Sequence, residues 1–367
     1  MRRIVFLLLI VPAILLIVSR WENLAYYKHL AVGQVHMLAA RRSIDKVAKD
    51  PHTKENLRQH LQLIPMLKEF AEKNLHLPAK GQFVYYVDHG RPHTVWNVYA
   101  APKFSVLPKT WCFPIVGCTA YKGFFSLDRA ENLAAKLERQ GYDVHISHAA
   151  GYSTLGWFSD PIYKNLLTRG EAFVAGYIFH ELAHKKIYVK GDTHFNEGFA
   201  VAVEQEGVRR WLESRDRQDL FAQYIQRTKR RQEFAALVHN TQAGLSELYA
   251  DKNLNPSVKT KRKQYLFEQM KKDFLNIKTG WNNYSGYDSW FATPLNNARL
   301  IPTNAYYDLV PAFTGMIQSA GGDMKIFYAR VKAIAQKPKH ERDLILKSYA
   351  ETQLAGNSDS GHSPESI

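Results

Sequence analysis

Two histidines and two glutamates follow a pattern that can bind a metal ion and use it. His180, Glu181 and His184 stand in His-Glu-Leu-Ala-His, and Glu197 follows in Asn-Glu-Gly-Phe-Ala. Helix residues four apart project from one face, so the rings of His180 and His184 can reach one ion. Glu181 is rotated from them by one residue, which places its carboxylate where it can act through a water molecule. A catalytic zinc takes three protein ligands, so the pattern needs one more ligand.

The missing third ligand is predicted to be Glu197. It stands early in a second predicted helix, and Gly191 and Asp192 let the chain reverse before that helix. A helix that runs back antiparallel would present Glu197 to both histidines. Asp192 and His194 remain alternative ligands, although both lie in the connecting turn. Asp192 and Glu204 are also candidates to orient the metal ligands by hydrogen bonds.

The chemistry that this pattern predicts is hydrolysis of a peptide bond. Zinc lowers the pKa of its bound water towards about 7 and polarises the scissile carbonyl. Glu181 would take the water's proton and pass it to the departing amine. The developing oxyanion needs a further donor besides the metal. Tyr306 is the predicted donor, with Tyr188 and Tyr287 as alternatives.

The two motifs together resemble a known class of zinc peptidases. Asn-Glu-Gly-Phe-Ala after His-Glu-x-x-His is similar to the gluzincins, the thermolysin-like and aminopeptidase N-like enzymes. The resemblance implies that Glu197 is the third zinc ligand. Only twelve residues separate His184 from Glu197, a shorter connection than in those enzymes, which implies a tighter loop. The metzincin class is excluded, because Lys190 stands where that class needs a histidine.

A closer resemblance is to a bacterial envelope family named as putative aminopeptidases, and it extends from about Leu30 to Lys337. The segments that carry it are Ala-Arg-Arg at 40–42, Thr-Trp-Cys-Phe-Pro at 110–114, Tyr-Ser-Thr-Leu-Gly-Trp-Phe at 152–158, His-Glu-Leu-Ala-His at 180–184, Tyr-Val-Lys-Gly-Asp-Thr at 188–193 and Pro-Leu-Asn-Asn-Ala at 294–298. This resemblance implies an aminopeptidase with Zn²⁺ as cofactor and a peptide or protein as substrate.

Two other functions remain open. An envelope endopeptidase would use the same metal chemistry, and the chain has no Gly-x-Met-Glu-Asn segment for a substrate's free amine. A zinc-stabilised scaffold without catalysis is the other alternative. Glu181 argues against it, since a structural site needs only ligands.

The elements that must position these residues predict an α+β fold. We expect a small mixed β-sheet in the first half of the chain and mainly helices in the second half. The metal motif is expected on a gluzincin-like helix. We predict helices at 23–49 and 53–74, paired strands at 83–87 and 94–99, a helix at 126–140, a strand at 143–148, helices over most of 171–270, and helices at 308–320 and from 324. Asn196 is the expected cap of the helix that carries Glu197. The segment 152–158 is a candidate edge strand for an extended substrate.

The domain boundaries follow from composition. A peptidase domain is predicted at 23–350, divided into an α+β part (23–170) and a mainly helical part (171–350). Residues 351–367 have little to bury, because they are rich in polar residues and glycine, and we expect them to be disordered.

The chain of 367 residues is basic, with a formal net charge of +15. Dense basic stretches occur at 227–231 and 259–263, and neither lies in a recognisable nucleic-acid-binding module. We therefore predict solvated helix faces there and no nucleic-acid partner.

The N-terminus predicts contact with a membrane. Two arginines at 2–3 precede the apolar run Ile4–Val18, and no cleavage site or lipidation cysteine follows it. Residues 1–22 are therefore interpreted as an uncleaved inner-membrane anchor, with the arginines in the cytoplasm and the catalytic domain in the periplasm. Aromatic residues are expected at the outer interface, namely Trp21, Tyr26 and Tyr27.

The two cysteines lie close together in the sequence. Cys112 and Cys118 stand in Trp-Cys-Phe-Pro-Ile-Val-Gly-Cys. In an oxidising compartment this short loop can close as a disulfide, whereas in a reducing one it would hold two thiols. The predicted export favours the disulfide. Two cysteines alone do not form a zinc ribbon.

Overall fold

The computed structural model describes residues 24–91, 93–113, 117–149, 159–303 and 309–359. Small sheets lie in the first half and long helices in the second, so the fold class is α+β as predicted. The helices are α1 (24–39), α2 (Ile44–Lys49), α3 (Glu55–Leu75), α4 (Leu127–Arg139), α5 (Lys164–Leu167), α6 (Glu171–Lys186), α7 (Thr193–Glu213), α8 (Gln218–Ala250), α9 (Pro256–Gly280), α10 (Asp288–Phe291), α11 (Asn297–Leu300), α12 (Val310–Ser319), α13 (Met324–Ala335) and α14 (Lys339–Asp359), with a 3₁₀ turn at Ile301–Thr303.

The strands form small separate sheets. They are β1 (Arg41–Ser43), β2 (Tyr85–Val87), β3 (Val95–Pro102), β4 (Trp111–Phe113), β5 (Gly117–Thr119), β6 (Tyr121–Phe124), β7 (Tyr142–Ala149) and β8 (Ile162–Tyr163). β2 lies between β1 and β8, β3 lies between β6 and β7, and β4 pairs with β5. The predicted pairing of β2 with β3 is therefore wrong, because β6 and β7 occupy both edges of β3.

The predicted helix at 23–49 is interrupted by β1, which pairs with β2. Tyr26 on α1 is also not at a membrane interface. Its side chain is buried, its ring lies against Phe113 and Phe124, and its hydroxyl donates a hydrogen bond to the carbonyl of Gly123 at 3.1 Å. Burial of an aromatic ring with its hydroxyl paired is a stabilising contact, so Tyr26 fixes α1 to the three-stranded sheet.

Several predictions fall on residues outside the described ranges: the anchor at 1–22, the candidate edge strand at 152–158 and Tyr306. α14 continues to Asp359, so the first part of the predicted disordered tail is helical, and residues 360–367 again lie outside the described ranges.

No helix within the described ranges combines the length and the apolar character that crossing a membrane requires.

Cys112 and Cys118 face each other across the hairpin of β4 and β5, where their Cα atoms are direct cross-strand partners. Their sulfur atoms are joined as a disulfide. Phe113, next to the bridge, stacks on Tyr26 with ring centroids 5.9 Å apart. The hairpin therefore contributes to the packing of α1.

A buried polar network joins the sheet of β3 to the helical half. The ammonium of Lys263 contacts the carboxylate of Asp143 and donates to the carbonyl of Lys103 at 3.0 Å. The backbone N–H of Asn297 donates to the same Asp143 carboxylate at 2.9 Å, and the side chain of Asn296 donates to Val144. The segment Pro-Leu-Asn-Asn-Ala at 294–298 thus supplies the asparagines that attach the helices to β7.

Close packing of α6 against α7 sets the position of the site. A Cβ atom at Gly207 would lie 2.6 Å from the ring of Phe179, so only glycine permits this approach. Gly198, the glycine of Asn-Glu-Gly-Phe-Ala, permits a similar close approach, because a Cβ atom there would lie 2.8 Å from the Cβ atom of Leu309. These contacts hold α7 against α6 on one side and against α12 on the other.

Candidate metal centre

The histidines lie near the C-terminal end of α6, and α7 runs back along that helix. Glu197, in the first turns of α7, faces both His180 and His184, while Glu204, two turns later, reaches His180. The antiparallel return expected from the sequence is what brings these four side chains together.

The turn between the helices is fixed by two polar side chains. Asn196 bonds both the N–H and the carbonyl of Val189, each at 2.8 Å. Asp192 accepts a hydrogen bond from the backbone N–H of Phe195 at 3.2 Å and pairs with Arg342 at 2.6 Å. Asp192 therefore caps α7, and the prediction that Asn196 does so is wrong because Asn196 closes the preceding turn. Asp192 is bound to an arginine and does not orient a ligand.

Three donor groups converge on one point. Nε2 of His180 lies 3.2 Å from Nε2 of His184 and 3.3 Å from Oε2 of Glu197. Nε2 of His184 lies 3.4 Å from Oε1 of Glu197. Metal–nitrogen bonds of about 2.0–2.1 Å at a tetrahedral angle separate two donors by about 3.3–3.4 Å. The positions of His180, His184 and Glu197 are compatible with one tetrahedral ion, and among the described residues these three form a candidate metal-binding group. His194 is not part of it.

Glu204 orients His180 from behind. Its Oε2 lies 3.1 Å from Nδ1 of His180, which leaves Nε2 facing the convergence point. Its Oε1 accepts a hydrogen bond from the hydroxyl of Tyr224 at 3.2 Å and lies 3.7 Å from Arg231. Such partners fix the ring and tautomer of a ligating histidine. Sequence reasoning named Glu204 for this role but missed Tyr224 and Arg231.

The electrostatics of the group favour positive charge at its centre. Desolvation lowers the pKa of His180, but hydrogen bonds to Glu197 and Glu204 outweigh it and raise that pKa to about 10. For Glu197, desolvation raises the pKa, while its hydrogen bonds to both histidines lower it well below the usual range. The two carboxylates therefore attract a proton or a metal ion to the histidines.

Glu181 is half-buried beside the histidines. Desolvation raises its pKa, and the neighbouring His180 and His184 oppose that shift. With His180, it lines a cavity of about 240 Å³ between α6 and α8. A carboxyl group whose pKa is raised and that opens into a cavity can exchange a proton with a bound molecule.

Comparison with known proteins assigns this chain to a family. The family described as Putative aminopeptidase matches residues 25–346, which include the candidate metal-binding group and the asparagines of 294–298. The chain belongs to this family. No curated protein and no solved structure matches the chain. Membership in the Putative aminopeptidase family indicates a peptidase.

Of the tyrosines predicted as transition-state donors, one within the described ranges lies beside the candidate metal-binding group. The ring of Tyr188 is 6.4 Å from that of His184, and its side chain is 61% exposed. Tyr287 instead stacks on Phe234 at 4.3 Å in the aromatic cluster around α8 and α9. Tyr188 is therefore the better placed of these two.

Proposed function

We propose that this chain is a zinc-dependent aminopeptidase, with His180, His184 and Glu197 as metal ligands and Glu181 as the general base. The observation that carries the proposal is the convergence of three donors at 3.2–3.4 Å with the half-buried carboxylate of Glu181 beside them. Family membership supports peptide hydrolysis as the reaction.

The donor set supports zinc as the metal. Two imidazoles and one carboxylate are a ligand set that catalytic zinc uses, and a three-ligand site leaves a position open to a small molecule. A zinc ion held there would act as a Lewis acid towards the peptide carbonyl and towards water. Nδ1 of His184 is buried without a hydrogen-bond partner among the described residues, so Glu204 provides the orienting contact on one ligand only.

The chain's own residues then divide the remaining work. Glu181 accepts a proton from the attacking water at a carboxylate oxygen and returns it to the departing amine nitrogen. Its burial makes the protonated intermediate form less costly than it would be in water. Glu204 and Tyr224 hold His180 in place, and Tyr306 or Tyr188 donates to the carbonyl oxygen as it gains charge. The presence of Glu181 beside the candidate ligands supports catalysis over a zinc-stabilised scaffold.

Two matched peptides separate an aminopeptidase from an endopeptidase. The zinc-loaded protein should release the first residue of an unblocked peptide and leave the same peptide untouched when its amino terminus is acetylated. Mass spectrometry of the products checks this. Internal cleavage of the acetylated peptide would identify an endopeptidase, and cleavage of neither peptide across a varied library would contradict a peptidase.

We further propose that the peptidase acts in the bacterial cell envelope, anchored in the inner membrane through residues 1–22. The two arginines before the run Ile4–Val18 favour a cytoplasmic N-terminus and a periplasmic catalytic domain. The full-length chain should remain in the membrane fraction and be degraded by added protease only after the outer membrane is opened. A shortened chain in the soluble periplasmic fraction would mean that the run is a cleaved signal.

A further inference from the structure

The cavity beside Glu181 has walls from two helices. On α6, the lining residues follow helical spacing, and so do those on α8, which makes each wall one face of its helix. The residues from α6 are Phe173, Tyr177, His180 and Glu181; those from α8 are Tyr224, Arg227, Thr228 and Arg231; and Glu204 lies between them. The volume of the cavity, about 240 Å³, far exceeds the roughly 10–15 Å³ that a single water molecule needs.

Two arginines line this cavity, Arg227 and Arg231, and Arg169 lies next to it on the ring of Phe173 without lining it. The guanidinium groups of Arg169 and Arg227 both lie over the ring of Phe173, at 4.2 and 4.9 Å from its centroid. Neither arginine pairs with a carboxylate within the described part of the chain, and both are exposed enough to meet a ligand. By contrast, Arg231 lies 3.7 Å from Glu204. Arg227 is exposed, as expected of a solvated basic face at 227–231, whereas Arg231 is partly buried and faces Glu204.

Two like charges on one aromatic ring repel each other. Burial lowers the pKa of Arg169, and the charge of Arg227 lowers it further. Two carboxylates line the cavity, those of Glu181 and Glu204, and neither pairs with Arg169 or Arg227 within the described residues; Glu204 is engaged by His180 and Tyr224. An anion brought in by a ligand would relieve it, and a guanidinium group suits a carboxylate through paired hydrogen bonds.

We propose that this cavity binds a carboxylate group of the peptide substrate, held by Arg227 with Arg169 beside it. The proposal rests on the proposed peptidase function, because it places a substrate group next to Glu181. The carboxylate comes either from an acidic side chain or from the C-terminus of a short peptide. Arg227 then selects which peptides are cleaved, while the metal-binding group performs the cleavage.

Binding to the full-length Glu181→Gln protein tests this without turnover. The probes are alanine pentapeptides in which one position carries Glu or Gln, and the all-alanine peptide with a free or amidated C-terminus. At one position, or at the C-terminus, the carboxylate form should bind at least about tenfold more tightly by calorimetry. A preference for Glu over Gln identifies a side-chain pocket, and a preference for the free acid over the amide identifies a C-terminal pocket.

The variants show whether the arginines cause the preference. Arg227→Gln should abolish it, Arg169→Gln should weaken it, and Arg227→Lys should restore part of it. Lys229→Gln is the matched control, since it removes one positive charge from α8 at a side chain that is 74% exposed and lies outside this cavity. Equal binding of every carboxylate and amide pair, or a preference unchanged in Arg227→Gln, would overturn the proposal.

Cleavage by the wild-type protein separates this proposal from the proposed function. If the unmodified alanine pentapeptide is cleaved without any carboxylate preference in binding, only the carboxylate pocket is wrong. If the Arg227-dependent preference is present while no peptide is cleaved, the pocket stands and the peptidase assignment fails.

Discussion

Replacing Glu181 by glutamine is expected to leave about one zinc ion bound per chain and to lower kcat by about 10²–10⁴-fold, the usual contribution of a positioned acid or base. The amide has nearly the shape of the carboxylate, so the packing around it is retained. It cannot accept the proton of the attacking water, however. Because Glu181 does not belong to the converging donors, metal content should not change.

Metal analysis of the purified variant and steady-state kinetics on one peptide measure the two effects together. Glu213→Gln is the matched control, since it removes a carboxylate at the end of α7 whose partner among the described residues is Arg209. That variant should behave as the wild type. Full activity in Glu181→Gln would show that Glu181 is not the general base.

Replacing a ligand should have the opposite outcome, with metal binding lost together with activity. His180→Ala or Glu197→Ala leaves two of the three donors, so the affinity for zinc should fall by more than it does when a supporting residue is removed. Removal of a supporting partner usually weakens metal affinity about 10–100-fold. We therefore expect Glu204→Ala to weaken zinc affinity by about 10–100-fold and each of the two ligand variants to weaken it by more.

Competition with a coloured zinc chelator gives the affinities of these variants on one scale. Circular dichroism shows whether each variant keeps its helices, so that loss of metal is not confused with unfolding. If Glu197→Ala bound zinc as tightly as the wild type, the third ligand would be another residue. His194 would then be the next to test, because Asp192 is held by Arg342 and by the start of α7.

The convergence of the donors could be expected from the sequence because it depends on local rules. Helical spacing places His180 and His184 on one face, and a short turn returns the chain to them. The sequence indicated Glu204 as a candidate to orient a metal ligand, but it could not show that its side chain points to His180. α7 is buried on most sides, from Phe195 to Trp211, so it has no polar face from which the direction of one glutamate can be read.

Contacts between distant segments account for what the sequence did not reveal. The residues of β2 are recognisable as a strand, but their partners in β1 and β8 depend on how the chain folds back. The same limit applies to the cavity. The run of basic residues at 227–231 predicts a solvated face, and Arg227 is exposed. Its position over the ring of Phe173, on another helix, depends on tertiary packing and could not be predicted from the run.

Diffraction at the zinc absorption edge from crystals of the zinc-loaded protein tests the proposed metal site most directly. One anomalous peak per chain should lie about 2.0–2.2 Å from Nε2 of His180, Nε2 of His184 and a carboxylate oxygen of Glu197. No peak at these three residues under saturating zinc, or a peak held by other side chains, would contradict the proposed metal centre.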